Sequence, residues 1–442
     1  MPKKSVIIGG AVGAAVLLAA GTATAISLSG RDNGATTVVT VNLWDEQVAA
    51  AYNESFAAFE AEHPEIDVQV EITPWSSYWD DLLVDVGGGT AADIFWLNST
   101  FTTYADNGNL IDITAELGAD AAGAWESSVV DQYTRNGSLW GVPQLADGGK
   151  AIIVNTELLE GAGLTTDDLQ DLVWDPSGTA DTLVPTLQQL TLDEQGRTAD
   201  DPDFDAGTIA QYGYNAAYDS DAIVFNYVGS NGGEWRTPEG FTFAGPEAAE
   251  AIGYVVDLVN THHVAPSAAD TNENNEFSRE QFLQGNLALF QTGLYNLAAI
   301  AEGATFEWAV VPVPEGPAGR VTVTNGIIAA GNAASEHPEE TLEVLRWLGS
   351  AEGSEAIGAT GSAVPAVLDA RTGYDEAWAA QGVDVTPFFE VDTFTLAVLE
   401  STHVSEANAE IEPVLKELFL GRLELDSALQ EAQEAANAAL EE

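Results

Sequence analysis

Residues 37–97 constrain the fold more than any other stretch, because they alternate strand and helix patterns at short intervals. Residues 37–43 form an apolar, β-branched run that reads as a buried strand. Residues 46–62 follow with Val48, Tyr52, Phe56 and Phe59 spaced to share one helix face. His63-Pro64-Glu65 breaks that helix, and residues 66–72 alternate apolar and polar side chains as a second strand. Residues 75–86 read as a second helix closed by Gly87-Gly88-Gly89, and residues 93–97 as a third strand. This order predicts an α/β chain with a parallel, doubly wound sheet. Ligands of such sheets sit beyond the carboxyl ends of the strands. Trp44-Asp45, Thr73 to Trp75, and Asn98-Ser99-Thr100 stand at those ends and are the first pocket candidates.

Further along, residues 139–143 lead through Asp147-Gly148-Gly149-Lys150 into an apolar strand at 151–154, and Asn155 reads as the cap of a following helix. Residues 193–205 read as an exposed acidic excursion. Residues 280–289 are expected to be helical, 306–313 a strand and 321–330 another. Residues 338–350 and 405–441 carry amphipathic, alanine-rich helices, and no internal repeat is visible.

A chain of 442 residues is long enough for two lobes of ordinary size. Its 70 acidic against 13 basic residues, a formal charge of -57, exclude nucleic acid and anionic membrane as partners. The same surface suits high salt, where counterions screen self-repulsion. The absence of cysteine excludes disulfides, thiolate metal sites and cysteine nucleophiles. Lys3 and Lys4 precede an uncharged stretch over 6–30 with Ala23-Thr24-Ala25 in the arrangement of a signal-peptidase site. Residues 1–36 are therefore expected to be an export leader, cleaved or kept as an N-terminal anchor, plus a linker, and the remainder to lie outside the cytoplasm.

Several phrases together resemble the family 1 extracellular solute-binding proteins, the maltose-binding-like sugar receptors of ABC importers. They are Phe56 to Val68, Pro74-Trp75-Ser76-Ser77-Tyr78-Trp79-Asp80-Asp81-Leu82 and Gly88 to Asn98, then Leu139-Trp140-Gly141-Val142-Pro143, Gly285 to Tyr295, and Pro312 to Pro317. The order is kept over nearly all of the chain beyond residue 38. Departures occur at Ile152-Ile153-Val154-Asn155-Thr156, where relatives carry a Tyr-rich strand, and at Gly293-Leu294-Tyr295, where they often carry Gly-x-Trp. The resemblance implies a two-lobe periplasmic-binding-protein type II fold, with an interlobe ligand cleft and a hinge that closes over the ligand. It divides the chain into lobe 1 at 37–147 completed by 320–366, and lobe 2 at 148–319 completed by 367–442. The implied protein is a monomer without cofactor that hands its ligand to importer membrane subunits and is not an enzyme.

A sugar site needs flat aromatics for stacking and short polar side chains for paired hydrogen bonds. Trp44 is the first stacking candidate, with core packing as its alternative. Asp45 reads as a hydroxyl ligand or as a helix N-cap. Trp96 lies inside a strand and reads as core, whereas Asn98 just past it reads as a contact. Trp75, Tyr78 and Trp79 are partly helix-packing by spacing, and one of them at most, with Trp75 as the candidate, is expected at the ligand. From the resemblance, Asp147 matches an acid that meets ligand hydroxyls, Trp235 an opposite wall, and Tyr295 with Asn296 a helix start facing the cleft. Asn325 is placed on the wall of lobe 1. A calcium-like run at 270–274 lacks the turn glycine and the closing Glu, so it reads as a loop. His262 and His263 are adjacent and lack a third metal ligand. A neutral mono- or oligosaccharide ranks first as ligand, a non-sugar neutral or cationic solute second. Anionic ligands rank last, for want of Arg and Lys. A secreted glycoside hydrolase is the remaining alternative, though 70 acids make some carboxylate pair inevitable.

Overall fold

The computed structural model describes residues 36–399, 401 and 403–441. The leader, cleavage-site and anchor readings fall on residues outside this range. Within it no helix is long and apolar enough to cross a membrane.

The first sheet begins with β1 (Thr37–Leu43), β2 (Ile66–Ile72) and β3 (Ile94–Leu97), joined by α1 (Glu46–Glu62) and α2 (Trp75–Gly88). These bounds follow the alternation read from the sequence. β4 (Val142–Leu145) ends the first pass, and the chain then enters a second sheet. That sheet holds β5 (Ala151–Asn155), β6 (Leu192–Asp193), β7 (Ile209–Tyr214), β8 (Leu287–Thr292) and β9 (Trp308–Pro312). Between β7 and β8 lie α3 (Pro246–Asn260) and α4 (Phe277–Leu283). The expected helix over 280–289 is thus a helix and a strand. Gly285, at φ +76°, stops α4, and β8 beyond it is buried at all its residues. A continuous apolar run reads alike as buried helix or buried strand.

β10 (Val321–Val323) and β11 (Ile327–Gly331) replace the single strand expected over 321–330. They belong to different sheets, and the chain crosses between lobes in the gap. Beyond come α5 (Pro338–Leu348), α6 (Ala351–Ala359), α7 (Thr372–Ala380), β12 (Asp392–Phe394), α8 (Val404–Phe419) and α9 (Leu425–Leu440). The first sheet is ordered β2-β1-β3-β11-β4 and the second β9-β5-β8-β7-β6. In the first, only β11 runs antiparallel to its neighbours.

Two buried clusters form the core, and the first also takes in one face of the second sheet through Ile153, Leu287 and Phe290. Val39, Val41, Phe95 and Ile328 pack against Tyr52, Phe56 and Phe59 of α1, whereas Ile152, Val154 and Leu289 pack with Ile252, Ile411 and Leu429. Tyr374, Trp378 and Phe388 join the first core. Residues 367–380 pack with the first lobe, past the expected boundary at 366, because α6 docks on α1 and α7 docks on α6. One tie is the Ser55 hydroxyl, which donates to the Gly353 carbonyl at 2.7 Å. The acidic excursion is exposed or partly exposed along nearly all its length, as expected, and is buried only at its root. Asp193 is buried, with its carboxylate accepting from the backbone of Gln195, Arg197 and Asp205 and from the Arg197 guanidinium at 2.6 Å.

Three described segments cross between the lobes: residues 146–150, 324–326 and 381–391. They are stitched together. Gly149 N–H donates to Phe388 O at 2.7 Å, Lys150 N–H to the Thr322 hydroxyl at 3.2 Å, and the Thr324 hydroxyl to Asp147 O at 2.9 Å. On the lobe 2 side β10 and β12 pair as a parallel two-stranded ribbon. This is the hinge.

Candidate functional site

The parallel strands of the first sheet end at one edge, and β11, running the other way, starts there. Read across the sheet from β2 to β4, that edge carries Trp75, then Trp44 and Asp45, then Asn98, then Asn325, then Asp147. Residues far apart in sequence are thereby brought into one row by the strand order alone.

The β2 end of the row is aromatic. Trp44 is half-buried and meets Trp75 edge-on, with ring centroids 5.2 Å apart, while Tyr78 and Trp96 lie under it at 4.9 and 5.0 Å. Trp75 is 47% exposed. Trp96 is core, as read from the sequence, its indole N–H donating to the Tyr52 hydroxyl at 3.1 Å. Tyr78 is likewise buried, its hydroxyl bonded to Trp96 O at 2.9 Å.

Asp45 is the N-cap of α1: one carboxylate oxygen accepts from Gln47 N–H and Val48 N–H, each at 2.9 Å. Burial raises its pKa, and those two backbone bonds pull it back. A further pull comes from the positive Arg279, which belongs to α4 of the other lobe. Asn98 uses its side-chain carbonyl to accept from the backbone and hydroxyl of Thr100, both at 3.0 Å, while its amide nitrogen makes no hydrogen bond among the described residues.

The β4 end is charged. Lys150 is fully buried and its ammonium sits 2.7 Å from Asp147 and 3.0 Å from Asp221. Burial alone would lower the lysine's pKa; the two carboxylates outweigh it and hold it above its ordinary value. Burial, with the charge of Asp221, pushes Asp147 up to about 6 against the pull of Lys150. Asp221 lies on a π-helical turn (Ser220–Val224) beyond the carboxyl end of β7. Such wide turns recur at functional sites. This one is capped by Asp219, whose carboxylate accepts from Ala222 N–H at 2.9 Å and is pushed by burial to about 6.

Asp221 is the hub between lobes. Besides Lys150 it accepts from the Asn325 amide at 2.9 Å and from the Tyr295 hydroxyl at 3.3 Å. Tyr295 is 44% exposed, with the Lys150 ammonium 5.6 Å from its ring centre. Asn296 is buried and acts as a tether, accepting from Arg279 at 3.1 Å and donating to the Thr292 hydroxyl at 2.8 Å.

The row and its facing turn thus gather Trp44, Asp45, Trp75, Asn98, Asp147, Tyr295, Asn296 and Asn325. Trp235 is elsewhere. It is 5% exposed in the lobe 2 core, stacked on Phe243 at 4.5 Å and edge-on to Phe225 at 4.9 Å. The preceding turn draws it inward, since Gly233 packs so closely on α3 that a Cβ there would lie 2.7 Å from Ala248 N. A cleft wall is not where the fold puts it. Lys150, Asp221 and Arg279 were not singled out from sequence. A lone lysine between two lobes of a lysine-poor chain was the available signal for the first.

The calcium-like run has no such convergence. It starts at the end of a short helix (Ala268–Thr271) and continues as a turn, and Asp270 accepts from the Ser267 hydroxyl at 2.8 Å. Among the described residues no three His, Asp or Glu side chains are grouped to hold a metal.

Comparison with known proteins gives a consistent picture. A crystal structure of UspC from M. tuberculosis is 49% identical, covers 91% of this chain and 100% of its own, and superposes with a TM-score of 0.72. An ABC substrate-binding protein, Lmo0181 of Listeria monocytogenes, solved in complex with cycloalternan, is 18% identical with a TM-score of 0.74, over 92% of this chain and 99% of that one. A binding protein of Brucella abortus (strain 2308) is 23% identical over 317 residues, 70% of this chain and 71% of that one. The pattern of the bacterial extracellular solute-binding proteins matches residues 44–355, and with this two-lobed architecture around a shared row of side chains the chain belongs to that family.

Proposed function

We propose that this protein is the exported, ligand-capturing component of an ABC importer, that it binds a neutral sugar or oligosaccharide between its lobes, and that it acts as a monomer without chemical turnover. The observation that carries the reading is the facing of two unlike surfaces. Lobe 1 offers exposed and half-buried indoles, and the hinge and lobe 2 offer carboxylates, amides and a phenol. Apolar sugar faces stack on the first and hydroxyls bond to the second. Anionic ligands are disfavoured, because two carboxylates already share the buried ammonium of Lys150. Closure then amounts to a population shift driven by contacts made only when both lobes touch the ligand. Solved structures of this fold carry such ligands: T. maritima MalE3 holds maltose and GacH of Streptomyces glaucescens acarbose.

A thermal-shift panel of neutral mono- and oligosaccharides, anionic sugars, polyamines and betaines tests it. A ligand at about a hundredfold excess over Kd stabilises by about 2.7 kcal/mol, a readable rise in Tm. Response to a charged solute with none to any neutral sugar would overturn the sugar reading. Release of shorter products from an oligosaccharide would overturn the binding-only reading.

A further inference from the structure

Asp221 is held at both ends by one short stretch of chain. Its carboxylate accepts from the Asn325 amide at 2.9 Å and faces the Lys150 ammonium at 3.0 Å. Its backbone carbonyl accepts from the Asn226 amide at 2.7 Å, and the Oδ1 of that same amide accepts from Val323 N–H at 2.8 Å. Val323 ends β10, and Asn325 lies two residues on, within the crossing to lobe 1. Residues 323–325 thus hold Asp221 from two sides, through Asn226 on one and directly on the other.

The partners fix how Asn226 sits. A backbone N–H can only donate and a carbonyl can only accept, so Oδ1 must face Val323 and Nδ2 must face Asp221. Both ends are out of water: Asn226 is 3% exposed and Val323 0%. Side chains of similar size cannot supply both bonds, since leucine has neither group and an ionised aspartate has no donor. Local propensity gives no reason for an asparagine one residue into the helix Phe225–Ser230, because asparagine is among the poorer helix formers. Its two bonds do.

Gln291 of β8 ties the same turn to the lobe 2 sheet, its amide donating to Ala222 O at 2.7 Å. Asn226 adds a tie to the hinge itself. Val323 is paired with Phe394 in the hinge ribbon, and the next residue, Thr324, bonds Asp147 O across the crossing. Without the Asn226 amide the turn would be aligned with the lobe 2 sheet alone, and not with the segment that carries Asn325.

We infer that Asn226 is the positioning residue of the interlobe contact: it holds Asp221 in register with the hinge strand, so that one carboxylate lands on both Lys150 and Asn325. Asn226 is buried and reaches no ligand itself. Its role is independent of which solute the cleft takes, so it stands or falls apart from the sugar reading.

The lysine-poor sequence supplies the measurement. Lysine occurs at positions 3, 4, 150 and 416 alone, so the full chain labelled with 15N at lysine Nζ gives a sparse NMR spectrum. The Lys150 ammonium, fully buried between two carboxylates, exchanges its protons slowly enough to stand apart from exposed ones. In Asp221→Asn its signal should move and its proton exchange should quicken about tenfold. Asn226→Leu should produce both changes with Asp221 intact, and the double variant should go no further than Asp221→Asn alone. A lowered unfolding midpoint in Asn226→Leu with an unmoved Lys150 signal would make Asn226 a packing residue and overturn the assignment. So would a double variant whose quickening is the product of the two single effects, because the two residues would then act separately. An unmoved signal in Asp221→Asn would deny the ion pair on which the assignment rests. Should Asn226→Leu fail to fold, Asn226→Ser takes its place with the same expected outcomes, since a serine hydroxyl is too short to span both partners.

Discussion

Asp147 shows how burial and a buried ion pair pull one carboxyl in opposite directions. Burial raises its pKa to about 6 while Lys150 pulls the other way. Because the folded value lies above the ordinary 3.8, folding favours the protonated acid. That contribution to stability is fully present below about pH 4 and is lost as the pH rises through about 6. In Asp147→Asn the fall in urea midpoint between about pH 4 and about pH 7 should therefore be shallower than in the native protein. Asp219, also near 6, retains its own share of the slope in that variant. An identical slope in both proteins would show that Asp147 titrates as an ordinary surface acid.

At the scale of elements, the hinge depends on close approach. A Cβ on Gly149 would lie 2.2 Å from Val391 Cγ2 and 2.4 Å from the Thr322 hydroxyl, so two other crossing-region segments occupy the space a side chain would need. Gly149→Ala should cost about 1–3 kcal/mol of stability in urea unfolding, as overpacking does elsewhere. No change would mean that the crossing segments slide apart freely. The elements up to residue 97 were legible because each has its own period: alternation in residues 66–72, helical spacing in Val48, Tyr52, Phe56 and Phe59. The placing of Trp44, Asn98 and their neighbours in one row at the sheet edge was legible for the same reason, since strand ends locate it. The rest required partners the sequence does not show. Residues 287–292 are buried on both faces, and their apolar run at 287–290 has no period to read. The resemblance assigned Trp235 to a wall, yet Gly233 packs closely on α3 and the indole is buried. Asp221 has no local signature, because its role comes from meeting Lys150 and Asn325 across the hinge.

The whole molecule carries a formal charge of -57 spread over two lobes that must approach one another. Like charges oppose both folding and closure, and salt screens them within about 10 Å at 0.1 M and about 3 Å at 1 M. The thermal midpoint of the unliganded protein should rise from low to molar potassium chloride. A midpoint that stays flat or falls would show that the acidic surface is no adaptation to saline surroundings. The position of the hinge has a practical consequence. Its three crossings lie under β4 and β11, whereas β2 is the strand farthest away. Any rotation about them leaves the Lys150 neighbourhood nearly still and carries the α2 rim through the widest arc. The chain has no cysteine, so a single introduced thiol at exposed Leu83 on that rim can be labelled without competition. A dye there, paired with one on lobe 2, turns the protein into an optical gauge of closure, while a pair flanking the pivot would stay silent.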